Sequence, residues 1–358
     1  MKLPVNQPIH GGNLVWAAAL AGCPPSRILD FSASINPLGP PAGAIQAIQE
    51  HLSALTAYPD PNYLQLRQAV AAFHAIDPAW ILPGNGAAEL LTWACRELAS
   101  LDCTYLFTPA FSDYWRGLKA FDATVVPVPL EAPTWEFPAL AFAAGQIGWL
   151  LNNPHNPTGR LFTREQILPY LEQVALVVID EAFMDFLPES QQQSLIDDLA
   201  NFPNLVILRS LTKFYSLPGL RLGYAIAHPD RLQRWQAWRD PWSVNSLAAA
   251  VGEVVLQDVG FQQQTWDWLQ VARAEMVQRL SQLPGLQVYP GAANFLLVHS
   301  DRSVTELQRL LLQRYQILIR DCISFPELGD SYFRIAIRTP SENQRLLQGL
   351  AEILLNPS

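Results

Sequence analysis

Hydrophobic and polar positions follow two regimes along the chain. Apolar runs at 104–108, 124–128, 148–151, 175–179, 205–208 and 222–227 are bounded by turn residues, and helical stretches separate most of them. Runs apolar on both faces predict strands of a mostly parallel sheet sandwiched by helices, an α/β domain. Upstream, residues 42–55 and 64–73 read as helices, and a short strand at 80–83 ends in a glycine turn opening the amphipathic helix 89–98. Beyond about residue 240 the pattern changes. Helices 246–256 and 261–283 precede short strands at 286–288, 295–298, 317–320 and 332–337, and a helix 341–355 follows, which predicts a smaller α+β domain. The first forty residues are mostly loop, with one helical run at 14–21. The expected organisation is an arm, 1–40, joined to the small domain 241–358, with a large domain at 41–240.

Composition narrows the partners. The 358 residues carry a net charge of -9, which argues against nucleic acid or an anionic membrane but leaves room for a locally basic site. The four cysteines, Cys23, Cys95, Cys103 and Cys322, have no paired spacing, so neither a disulfide framework nor a metal site is expected. Met1-Lys2-Leu3-Pro4 shows no signal-peptide core, and no apolar run is long enough to cross a bilayer. A cytoplasmic protein is the expectation.

Lysine is scarce: only Lys2, Lys119 and Lys213 occur. Lys213 sits in a polar stretch between two apolar runs, where desolvation or a nearby cation would free its amine to attack a carbonyl. A surface lysine on a loop is the alternative reading of that stretch alone. Polar motifs also follow the expected strands at 152–159, 180–183 and 210–213, at the carboxyl ends where parallel sheets place ligands. Gly84-Asn85-Gly86 at a helix start suits an anion, although a plain turn would read the same.

Together these motifs resemble the fold-type I pyridoxal-phosphate enzymes of the class I/II aminotransferase group. The resemblance rests on Asn156-Pro157-Thr158-Gly159, Asp180, Ser210-Leu211-Thr212-Lys213 and Arg221. It implies the two-domain fold of that group and pyridoxal 5'-phosphate as cofactor. Lys213 would hold the cofactor as a Schiff base and shuttle protons, and Asp180 would keep the pyridine nitrogen protonated. Asn156 would donate to the phenolic oxygen, and Phe111 would stack on the ring, with Tyr114 a second candidate. Gly86, Ala87, Ser210 and Arg221 would hold the phosphate. Tyr58 would reach the phosphate of a neighbouring subunit, which implies a homodimer with shared sites. Phe183 departs from the group, which usually has a tyrosine there, so the cofactor is expected to be tuned differently.

Within the group, His10-Gly11-Gly12-Asn13, the segment 30–39, Arg320 and the segment Arg334 to Arg338 resemble the threonine-phosphate decarboxylases, as does Phe183. The histidinol-phosphate aminotransferases share the core but typically have a small residue where Arg338 stands. The resemblance implies a small phosphorylated amino acid as substrate, with Arg334 on its carboxylate and Arg320, His10 and Asn13 on its phosphate. Asn36, Asn156 and Arg338 are further substrate candidates. An aminotransferase acting on another small substrate, such as histidinol phosphate, is the rival reading, and a regulatory module without enzyme activity is a remote alternative.

Overall fold

The computed structural model describes residues 8–355. The chain divides into two compact units, one made of Leu38–Asn156 with Arg160–Trp266, the other of the chain up to Pro37, Pro157–Gly159 and Asp267–Ser358. Thirteen strands are described, beginning with the short β1 (Leu29–Asp30) of the smaller unit.

In the larger unit follow β2 (Ile81–Asn85), β3 (Cys103–Thr108), β4 (Val125–Pro129), β5 (Ile147–Asn152), β6 (Leu176–Asp180), β7 (Leu205–Ser210) and β8 (Leu222–Ala227). They form one sheet in the order β2-β8-β7-β6-β5-β3-β4. Every pairing is parallel except the two made by β8. Strands β5, β7 and β8 are buried at every position, which explains their unbroken apolar sequence. On one side Leu90, Leu91, Ala94, Cys95 and Leu98 of the helix Ala87–Leu98 join Leu106, Leu150, Val178, Val206 and Leu208 in a single core. Each such aliphatic side chain contributes about 1.5–3 kcal/mol by burial.

In the smaller unit β9 (Leu286–Tyr289), β10 (Phe295–Ser300), β11 (Ile317–Leu318), β12 (Arg320–Asp321) and β13 (Tyr332–Ala336) complete the set. An antiparallel sheet runs β12-β13-β10-β9, and β1 pairs β11 in parallel. The single strand expected at 317–320 is therefore two. Leu318 pairs Asp30, while Arg320 pairs Arg334, so the chain changes sheets at Ile319.

Two further expectations are revised. The helix 42–55 ends at Glu50, where the His51 ring nitrogen joins the backbone amide on the Ala47 carbonyl, and a 3-10 turn Leu52–Thr56 follows. The compact units divide between Trp266 and Asp267, not near Pro241, and the leading segment of the smaller unit ends at Pro37. The helix Ser246–Val255 packs on helices Ala42–Glu50 and Leu64–His74, which binds the stretch after Pro241 to the larger unit. Turn Pro157–Gly159 groups with the smaller unit because the Gly159 carbonyl accepts from the Ala292 amide at 2.7 Å.

Candidate active site

The larger unit gathers its polar groups at the carboxyl ends of β5, β6 and β7. The glycine turn after β2 places Gly86 at φ +73° as N-cap of the helix Ala87–Leu98, so the amides of its first turn point outward. A side chain at Gly86 would collide with the Arg221 guanidinium, so only glycine lets that cation approach the helix end. Arg221 itself holds φ +60°, a left-handed conformation costly for any residue with a Cβ, just before β8. Ser210 Oγ lies 2.8 Å from Thr212 Oγ1 and 3.3 Å from Lys213 Nζ. Arg221 thus lies at the helix end beside Gly86 and Ala87, while Ser210 at the end of β7 faces Thr212, a hydroxyl that the motif reading did not include.

Asp180 ends β6. Its Oδ1 accepts from the Ala182 amide at 3.0 Å and its Oδ2 from the Tyr114 hydroxyl at 2.8 Å. Tyr114, 2% exposed, is thereby a holder of the carboxylate rather than a stacking ring. Burial and the Asp180 charge push its ionisation well above the usual phenol range, so it remains a donor. Phe111 lies edge-on to Tyr114 at 5.6 Å between centroids. Asn156 is 6% exposed at the end of the 152–156 segment. Lys213 heads toward Phe183, its Nζ 5.2 Å from the ring centroid.

Behind these groups lies a buried ion triad. Alternation along β6 and β7 turns Glu181 and Arg209 to the face opposite Asp180 and Ser210. Arg209 Nη2 meets Glu181 at 2.8 Å, and its Nη1 meets Asp185. Ser194 donates to Glu181 at 2.8 Å, and Trp266 donates to the Asp185 carbonyl at 2.9 Å. Removing one partner of such a buried set costs about 3–5 kcal/mol. The sequence carried the signal, since Arg209 interrupts an otherwise apolar strand, but its partner could not be inferred from spacing.

The smaller unit carries the other predicted residues. Arg320 and Arg334 stand directly opposite one another across β12 and β13 and are 6% and 9% exposed. Arg334 donates to the Ser32 carbonyl at 3.2 Å and lies 4.8 Å from the Phe295 ring centroid. Arg320 donates to the carbonyls of Pro8 and Ile9 and to Ser324 Oγ at 2.6 Å. Burial works against the charge on both, and for Arg334 the Arg320 charge adds to it. Arg338 differs: Glu342 at 2.9 Å and the Asp30 carbonyl already match it. Asn13 caps the helix Leu14–Ala21 by accepting from the Trp16 amide at 3.0 Å. His10 is exposed and Asn36 buried. The His10-Gly11-Gly12 arm is sewn to Ser32, whose Oγ accepts from the Gly12 amide at 2.8 Å, while a Cβ on Gly11 would strike the Ser32 carbonyl.

Tyr58 is 78% exposed and stacks on Trp242 at 4.3 Å between centroids. Leu52 and Leu55 of the 3-10 turn, Leu64 and Val254 are also exposed. Among the described residues no cluster of three metal-ligating side chains occurs, and no helix is long and apolar enough to cross a membrane.

Comparison with known proteins agrees with this geometry. Residues 26–350 match the family described as aminotransferase class I and II. The threonine-phosphate decarboxylase of Salmonella typhimurium is 41% identical, covering 96% of this chain and 96% of that protein. The crystal structure of L-threonine-O-3-phosphate decarboxylase from Porphyromonas gingivalis superposes with a TM-score of 0.82 at 27% identity, over 91% of this chain and 99% of that one. That of the histidinol-phosphate aminotransferase from Clostridium acetobutylicum gives 0.85 at 27% identity, over 92% and 100%. With the lysine and aspartate at strand ends and the family matched over most of its length, the chain belongs to the class I and II aminotransferase family.

Proposed function

We propose that the chain binds pyridoxal 5'-phosphate and decarboxylates L-threonine O-3-phosphate to (R)-1-amino-2-propanol O-2-phosphate, a cytoplasmic step of cobalamin biosynthesis. One observation carries the substrate assignment: Arg320 and Arg334, both buried, directly oppose each other on adjacent strands. Like charges in that register repel, and their burial is costly. A compact substrate bearing a carboxylate and a phosphate offsets both. Histidinol phosphate has the phosphate but no carboxylate.

The larger unit fits the cofactor on its own geometry. Glycine at position 86 clears room for Arg221 beside a helix N-terminus, the arrangement a phosphate needs. Asp180 has one donor on each oxygen and so presents a fixed carboxylate to a ring nitrogen. Asn156 and Phe111 would meet the ring oxygen and the ring face, and Lys213 would make the covalent attachment. When bound, the cofactor supplies an electron sink for the pair left at Cα. Tyr114→Phe removes a hydrogen bond to a charged group, worth about 1.5–3 kcal/mol. Retention of pyridoxal phosphate is expected to fall roughly tenfold. Equilibrium dialysis, with circular dichroism as the folding control, checks this; wild-type retention would remove Tyr114 from the cofactor's support.

The chain's own residues decide which bond breaks. Arg334, with a planar fork suited to a carboxylate, and Arg320 on the phosphate hold the substrate at both ends and so fix rotation about Cα. His10 is the arm's candidate for a further phosphate contact. Lys213 supplies the proton that replaces CO2.

The exposed apolar side chains, Tyr58 among them, support a homodimer in which this tyrosine serves the neighbouring subunit's cofactor phosphate. The assignment is tested by incubating the purified protein with threonine phosphate and no 2-oxo acid. Release of CO2 with aminopropanol phosphate is expected. Turnover that requires a 2-oxo acid acceptor, with no CO2 released, would instead favour an aminotransferase.

A further inference from the structure

The turn after β6 is built around Lys213. Phe183, 6% exposed, presents its ring 5.2 Å from Nζ. Three residues on, Phe186 packs edge-on against Phe214, the residue after the lysine, at 5.2 Å. Asp185, between the two rings, is clamped by Arg209 on its carboxylate and by Trp266 on its carbonyl, so the turn cannot slide along the lysine segment. An ammonium within about 6 Å of an aromatic centroid is attracted by the ring's negative face, the more strongly the less water surrounds it.

We propose that Phe183 is a specificity-determining residue, its ring face seating the ammonium of Lys213 so that the lysine is held as an acid. The proposal rests on the decarboxylase reading. Loss of CO2 leaves an electron pair on Cα. One N–H bond of Lys213 then breaks, its proton forms the new C–H bond, and the lysine is left neutral. A solvent proton restores it, so one proton is consumed per CO2 released. A transaminating site needs the opposite from its lysine, which must first take a proton from Cα.

The surroundings of Lys213 point the same way. Ser210 Oγ, on its own segment, lies 3.3 Å from Nζ. From the turn, the Asp185 carboxylate interacts with the lysine charge. Behind it Arg209 is shared between Asp185 and Glu181. From β6 comes Asp180, already bonded by Tyr114, and Arg221 lies further along the lysine's own stretch. Tyr215, next but one in the chain, stays neutral because burial pushes its ionisation up. The Asp185 carboxylate thus favours a charged lysine.

The scarcity of lysine makes the test direct, because the full chain labelled with 13C at lysine Cε gives signals from Lys2, Lys119 and Lys213 alone. The Lys213 signal is the one lost in Lys213→Ala and displaced by added pyridoxal phosphate. Its pH midpoint is read in the cofactor-free chain. Phe183→Leu keeps apolar bulk but removes the π face, and should lower the midpoint by about half to one pH unit. Phe183→Tyr keeps the ring and should titrate within roughly a fifth of a unit of wild type. Lys119 is the internal control. A wild-type midpoint in Phe183→Leu, or a shift in Phe183→Tyr as large as that in Phe183→Leu, would overturn the proposal. The outcome is separable from the substrate assignment. A wild-type protein that releases no CO2 defeats the decarboxylase reading while the titration stands; CO2 release with an unmoved Phe183→Leu titration defeats only the role of Phe183.

Discussion

Replacing Arg334 by leucine is expected to lower kcat/KM for threonine phosphate by about 10²- to 10⁴-fold while leaving the fold as stable as before or more so. The first half follows from two charge-assisted bonds to a carboxylate, each worth about 1.5–3 kcal/mol. The second follows from what surrounds the guanidinium. Arg334 is 9% exposed, directly opposite Arg320, and its charge is opposed by burial first and by that neighbour second. Leucine removes the desolvated charge and keeps apolar bulk beside Phe295. Steady-state kinetics with a thermal melt therefore distinguish a substrate grip from a structural strut. A strut would lose stability along with activity, and that result would sink the assignment. Arg320→Leu should lower activity comparably but not raise the melt. Arg320 ties down the carbonyls of Pro8 and Ile9, so its loss also releases the arm. Arg338→Leu is expected to act mainly on stability, since Glu342 and Asp30 already engage that side chain.

How much of this was legible beforehand differs between the two units. Strands of the central sheet are unbroken apolar runs because both faces are covered, and such runs announce themselves without any knowledge of their neighbours. The strand-end motifs were equally visible, since lysine in a lysine-poor chain and Asp180 after four apolar residues are local signals. Hidden were the features created by pairing. The opposition of Arg320 and Arg334 depends on the chain changing sheets at Ile319, which no periodicity over 317–320 reveals. Tyr114, on the helix Ser112–Ala120, donates to a carboxylate at the end of β6, and its aromatic character pointed instead to stacking. The boundary between units was misplaced for a similar reason. Pro241 looks like a linker, yet the following helix Ser246–Val255 is held by helices from the first third of the larger unit.

Lys213→Ala should abolish turnover, by a factor on the order of 10³ or more, because it removes both the covalent attachment and the proton donor. Stability should hardly change. Lys213 Nζ approaches Ser210 Oγ at 3.3 Å and the Phe183 ring, contacts of modest strength, and alanine suits the short helix Leu211–Phe214. Loss of function with an unchanged melt thus isolates chemistry from folding. The absorbance of bound cofactor supplies the decisive readout. Wild-type protein with pyridoxal phosphate should show the long-wavelength band of an imine, whereas Lys213→Ala should show only that of the free aldehyde. An imine band surviving in the variant would have to come from Lys2 or Lys119, the other two lysines of the chain. Lys119 ends a surface helix, Ser112–Ala120, and is exposed, so its attachment would be neither buried nor beside Asp180. Such a result would displace the lysine from the site while leaving the proposed phosphate site intact. The same variant should still bind the cofactor through Gly86, Ser210 and Arg221, with affinity reduced but measurable, because phosphate capture there depends on a helix end and a guanidinium and not on the covalent bond.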